Sequence, residues 1–239
     1  MKYLLRTIIF LTSLFAILLS GCAPTKPYVL ADYQRDPEFN MLELLATGMV
    51  LGGVTVTAYP VTVEERNALT AQLEDVLTQF SLYRINTPIK LSERVGNERY
   101  EQLMEYFYNN RTLKVEDYSE LQSLYTPARY ILFVNIDSDQ IRQHTEHYSG
   151  AVEYRSIRIV TGRMYIFNLD TAQTTLYTRI AVRDVNSNNV QQVSGGASLG
   201  ILLGNVVAQV ALGGYPEPPT KEHAMYKFFL GVADQIPSN

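Results

Sequence analysis

Tyr130-Ile131-Leu132-Phe133-Val134-Asn135-Ile136 is a run of seven residues in which only Asn135 is polar. It has strand length, carries no helical periodicity, and is rich in β-branched and aromatic side chains. Such a run reads as a strand with no wet face, the most buried strand of the chain. The elements on either side are assigned relative to it.

Upstream of it, Pro127 stops a helix in which Val115, Tyr118, Leu121 and Tyr125 share one side, and before that Tyr100, Leu103, Met104 and Phe107 share one face of another. Leu82 to Leu91 reads as a short edge strand, because Pro88 cannot donate to a central ladder. Thr62 and Glu65 have the spacing of a capping box, and Leu69, Leu73, Val76, Leu77 and Phe80 then recur at helical spacing. Met49 to Ala58, β-branched, glycine-containing and closed by Tyr59-Pro60, fits a first strand. Ala23 to about Phe39 places Pro24, Pro27 and Pro37 among polar residues and reads as an irregular tether over 22–40, with the folded domain spanning 41–239.

Downstream, Ser156 to Leu169 and Thr174 to Asp184 are strand-like, with Asp170 to Gln173 as the hairpin loop. In the second arm Leu176, Thr178, Ile180 and Val182 alternate with Tyr177, Arg179, Ala181 and Arg183, so one face is predicted buried and the other wet. Asn186 to Ser194 reads as polar loop. Residues 195–214 carry six of the 14 glycines around an apolar stretch, Leu199 to Leu212, which is shorter than a bilayer span. Gly196, Gly200 and Gly204 lie four apart, so a helix there would present a bare stripe for close backbone approach. Packing within the domain and contact with a membrane or second subunit are both open readings of that stripe. Met225, Phe228, Phe229, Val232 and Ile236 define a last amphipathic helix, with Thr220 placed to cap it. The fold class expected is α+β, an αβ sandwich on a mixed sheet of four to five strands, in the order β-α-β-α-α-β-β-β-α.

The first 21 residues carry Lys2 and Arg6 ahead of the apolar run Thr7 to Leu19, the build of a secretory signal segment rather than a spanning helix. They end in Leu19-Ser20-Gly21-Cys22, which resembles the lipobox of bacterial lipoproteins. That resemblance implies cleavage before Cys22 and acylation of Cys22, the one cysteine of the chain. With a single cysteine no disulfide forms within the chain, so the core alone must hold the fold. Ala23 after the cysteine, where inner-membrane lipoproteins often carry Asp, implies by the same resemblance an outer-membrane address facing the periplasm. With Lys2 and Arg6 removed from the 20 basic residues, 18 remain against 24 acidic ones, and no basic run occurs. Nucleic acid and anionic lipid are therefore poor expected partners for such a surface.

The element order, in an exported and lipid-anchored chain, resembles the amino-terminal domain of TolB and related outer-membrane assembly lipoproteins over roughly Met49 to Gln235. Those relatives are non-catalytic binding or assembly modules, so the resemblance implies an envelope protein or cell-wall partner, a homo-oligomer as the alternative, no cofactor and no enzyme activity. No motif aligns their functional residues with this chain. One of these relatives is a pore with long apolar hairpins; Arg158, Arg163, Arg179 and Arg183 in the hairpin here argue against that role.

Candidate chemistry is sparse. Gly196-Ala197-Ser198-Leu199-Gly200 matches the G-x-S-x-G pattern of a nucleophile elbow, but polar residues precede it and His223 is the only later histidine, with no Asp between. His144, Glu146 and His147 form a compact group of metal-type ligands in what reads as a polar loop. Asp137 and Asp139 follow the buried run, at a strand end where open α/β sheets place ligands and where turn-forming acids are also common. No P-loop, dinucleotide fingerprint or zinc-type cysteine pair occurs. The residues singled out are thus Cys22 for lipidation and Gly196, Gly200 and Gly204 as a contact segment, with no catalytic or metal-binding assignment.

Overall fold

Tyr130–Ile136 sits between two neighbours in the sheet, parallel to Met49–Val56 on one side and antiparallel to the strand ending at Asn168 on the other. The computed structural model describes residues 26–80, 85–86, 91, 94–148, 151–191 and 214–237. In chain order the elements are β1 Tyr28–Arg35, α1 Met41–Thr47, β2 Met49–Val56, α2 Val63–Phe80, β3 Ile85–Asn86, α3 Asn97–Asn110, α4 Val115–Tyr125, β4 Tyr130–Tyr148, β5 Ala151–Asn168, β6 Gln173–Gln191 and α5 Lys221–Ala233. The strands form one mixed sheet ordered β1-β6-β5-β4-β2-β3. This is the expected α+β class, with β3 in the place predicted for an edge strand.

The apolar run owes its unbroken character to helices on both sides of the sheet. Leu132, Val134 and Ile136 join a core with Leu73, Leu77, Phe228 and Phe229 of α2 and α5. Ile131 and Phe133 point the other way, into a core with Leu103, Met104 and Phe107 of α3 and Leu121 of α4. Phe107 stacks on Phe133 at 4.6 Å between ring centroids. Among predicted face residues whose side chains are described, all are buried or partly buried except Val115, 77% exposed in the first turn of α4.

Both predicted caps form. The Glu65 amide donates to the Thr62 hydroxyl at 3.2 Å while the Thr62 amide donates to the Glu65 carboxylate at 2.9 Å, closing the capping box. The Thr220 hydroxyl accepts from the His223 amide at 3.3 Å.

The irregular tether over 22–40 is corrected by β1. Tyr28–Arg35 pairs antiparallel with β6, with an irregularity between Ala31 and Gln34 where Asp32 has φ of 52°. Phe39 is buried with its ring 4.9 Å from that of Tyr130. The globular part therefore starts at Tyr28 rather than Met41. Pro27 and Pro37 flank the strand without entering it, and an edge strand covered only at Tyr28 and, in part, Leu30 leaves too short an apolar alternation to read.

Gly162 illustrates how tightly β5 passes its neighbours. A Cβ there would lie 2.4 Å from the backbone oxygen of Asn135 and 2.6 Å from the Phe228 ring. Because a main-chain oxygen cannot move aside cheaply, Gly162→Ala is expected to cost about 1–3 kcal/mol by overpacking. Urea unfolding checks this; a loss below about 0.5 kcal/mol, the range of surface changes, would show that β5 gives way freely.

Candidate interaction site: a three-stranded arm

The stretches expected as polar loops are strands. β4 continues through His144 to Tyr148 and β6 continues through Asn186 to Gln191, both paired with β5 along their whole length. β2 pairs with β4 only as far as Ile136, and β1 pairs with β6 only from Leu176 to Val182. Beyond those points three strands run on as an arm of about 11 residues, or roughly 35 Å at 3.3 Å per residue. Among the described residues no strand pairs with the outer edges of Ser138–Tyr148 or Arg183–Gln191.

Asp137 lies where the arm begins. Ile136 pairs with Gly162 and Ser138 with Thr161, so Asp137 is an inserted residue at a bulge, not the strand end expected for it. Its carboxylate accepts from the Asn135 amide at 2.6 Å, and the Arg163 Nε lies 3.0 Å away at ion-pair distance. Asn135, fully buried, also accepts from the Thr55 hydroxyl at 2.8 Å and donates to that of Thr57 at 3.2 Å. The network joins the carboxyl end of β2 to the arm. Beside it is a cleft of about 570 Å³ lined by Thr55, Thr57, Tyr59, Arg66, Glu105 and Tyr108.

The two faces of the arm differ. On the side of α5, residues Gly214 to Pro219 cross it: the Tyr215 ring stands 5.3 Å from that of Tyr154, Ser156 donates to the Pro216 carbonyl at 2.6 Å, and Asn186 donates to the Glu217 carbonyl at 2.9 Å. Beneath this cover Arg158 and Asp139 form an ion pair at 3.2 Å with both side chains nearly buried. Asp184 is held by Lys227 at 2.6 Å and His223 at 2.8 Å, both from α5. No Asp lies between Ser198 and His223, and the acid that His223 meets comes instead from β6, upstream of both. Ser198, Gly196, Gly200, Gly204 and Cys22 all lie outside the described residues.

Among the described residues no helix lies on the opposite face of the arm. That face presents Gln140, Arg142, His144 and Glu146 from β4, Ile159, Ile157, Arg155 and Glu153 from β5, and Arg183, Val185 and Ser187 from β6, as the pairing register requires. Near the tip Arg155 bridges Glu146 at 2.8 Å and Glu153 at 2.6 Å. The Arg155 guanidinium holds the Glu153 carboxyl below its ordinary range, and Glu146 raises the Tyr148 phenol. Strand alternation also separates the metal-type ligands: His144 and Glu146 share this face, whereas His147 projects from the other.

No family model and no curated protein matches the chain. Similar solved structures include lipoprotein GNA1162 from Neisseria meningitidis, 12% identical, covering 69% of this chain and 97% of that one at a TM-score of 0.29. The PelC dodecamer from Paraburkholderia phytofirmans is 8% identical, with 89% and 99% covered and a TM-score of 0.37. The LpoB C-terminal domain from Salmonella enterica is 13% identical, with 63% and 92% covered and a TM-score of 0.30. These neighbours include bacterial lipoproteins, and at such scores none assigns a residue or an activity to this chain.

Proposed function

We propose that the chain is a lipid-anchored protein of the bacterial envelope, held through Cys22 in the outer membrane and facing the periplasm, whose domain binds another envelope component through its arm. The observation that carries this reading is the arm itself. Among the described residues, three strands leave the core with two unpaired edges and one uncovered face, and an unpaired edge is a template for strand addition by a partner. The lipobox-like end of the leader supports the address, and the acidic balance of the mature chain supports a protein or cell-wall partner over nucleic acid. Assembly into a homo-oligomer through the same edges is the second reading, favoured by their lack of Pro or Lys to block self-pairing.

Photocrosslinking tests the arm. A benzoylphenylalanine at Ile141 or Val185, which are 50% and 40% exposed, is expected to give discrete adducts in intact cells. The same group at Val115, on α4, is expected to give none of those bands. An adduct mass equal to a second copy of the chain would select the oligomer. Identical patterns at all three positions, or no adduct from the arm, would remove it as the contact surface.

A further inference from the structure

The mature chain is acidic overall, yet arginines collect on the side of the sheet opposite α5, along and beside the arm, where no helix lies among the described residues. Arg179, Arg183 and Arg142 are exposed on that side, and none of them forms an ion pair with a carboxylate among the described residues. The carboxylates nearby are already engaged, Asp137 by Arg163 and Glu146 and Glu153 by Arg155. Register makes the patch: Arg183 is two positions along β6 from Val185, which pairs with Ile157 and through it with Arg142, so the charges surround exposed Val185 and partly exposed Ile159, with Ile157 buried between the strands' side chains. These residues come from parts of the chain some 40 positions apart, which is why no basic run shows in the sequence.

The attachment point lies at the root of this arm. β1 enters with Tyr28 opposite Val182, the last residue of β6 that it pairs, and Lys26 is tied to Asp234 at 2.9 Å. Cys22 precedes Lys26 by four residues, which span at most about 14 Å. From Arg183 to Gln191 the arm extends about 30 Å, further than the tether can reach. An acyl chain on Cys22 therefore holds the bilayer surface closer to the root of the arm than the arm is long. The tether sets this distance, and the charge distribution sets which face turns toward the lipid.

We infer that the face of the arm opposite α5 docks on anionic phospholipid headgroups, with Arg142 and Arg183 of the arm and Arg179 beside its root on phosphates, and with exposed Val185 and partly exposed Ile159 against the interface. The inference rests on acylation of Cys22 as proposed above for its geometry, but its chemistry is testable without the lipid. Docking would fix the orientation of the domain and leave the edges of the arm to the partner.

The test is vesicle co-sedimentation of the mature chain, residues 22–239, carrying Cys22→Ser, at about 0.15 M salt where surface charges beyond roughly 8 Å are screened. It is expected to pellet with phosphatidylglycerol-rich vesicles, to ignore phosphatidylcholine vesicles, and to be released near 1 M salt. Each basic residue at an anionic surface contributes roughly five-fold, so R142Q/R179Q/R183Q is expected to lower partitioning on the order of 100-fold with an unchanged melting temperature. R142K/R179K/R183K is expected to keep most of the binding. Equal partitioning onto neutral vesicles, no partitioning onto anionic ones, or undiminished binding by the glutamine variant would overturn the inference. So would retention on polyglutamate resin without vesicle binding, which would mark the face as a site for an acidic protein. Mass spectrometry of the protein from membranes reads acylation of Cys22 separately, so failure of the anchor and failure of the docking face are distinguishable.

Discussion

Leu132→Asp is expected to leave no stably folded domain. Leu132 has no exposed surface, pairs with Leu51 of β2 and Ile166 of β5, and belongs to the core beneath α2 and α5. An aspartate there meets no cation and no water. Ionised, it carries a desolvation cost that the surrounding methyl groups cannot offset; protonated, it still loses the packing of leucine and strands polar atoms. Several kcal/mol is the scale of such a loss, and the whole stability of a domain is about 5–15 kcal/mol. Circular dichroism against temperature checks it, with Ile141→Asp on the exposed part of the same strand as the comparison expected to melt like wild type. A Leu132→Asp protein melting within a few degrees of wild type would remove β4 from the core.

Cys22→Ser is expected to have an equally large effect on location and none on the fold. The hydroxyl cannot take the thioether-linked lipid that a lipobox cysteine takes. Because several acyl chains, at about 0.8 kcal/mol per buried CH₂, dominate attachment, their loss should move the protein out of membranes washed at about 1 M salt, which screens the arginines, or leave an uncleaved precursor held by its leader. Labelling with a fatty acid, the size of the product and fractionation give three readouts. Processing and outer-membrane recovery like those of wild type would show that the resemblance to a lipobox misleads.

The sequence carried the parts of the fold whose pattern is set by burial. Tyr130–Ile136 is apolar on both faces because both faces are covered, and Tyr100, Leu103, Met104 and Phe107 are spaced by the helix that buries them. The caps at Thr62 and Thr220 were readable because capping is a local bargain between a side chain and amides three residues on. The lipobox-like stretch that motivates the proposed address is likewise contiguous, ending at Cys22.

The arm and β1 were decided by tertiary structure. Asp137 to Tyr148 and Asn186 to Gln191 are polar on both faces, so they show no alternation; they are strands because β5 between them supplies hydrogen-bond partners along their length. β1 is a strand only because β6 offers an edge at Leu176 to Val182. The arginine patch and the Asp184–His223 pair likewise depend on which residues register brings opposite one another. Hydrophobic burial leaves its period in the chain locally, whereas pairing of polar strands and assembly of charge on one face are properties of the partner strand, which local sequence does not contain.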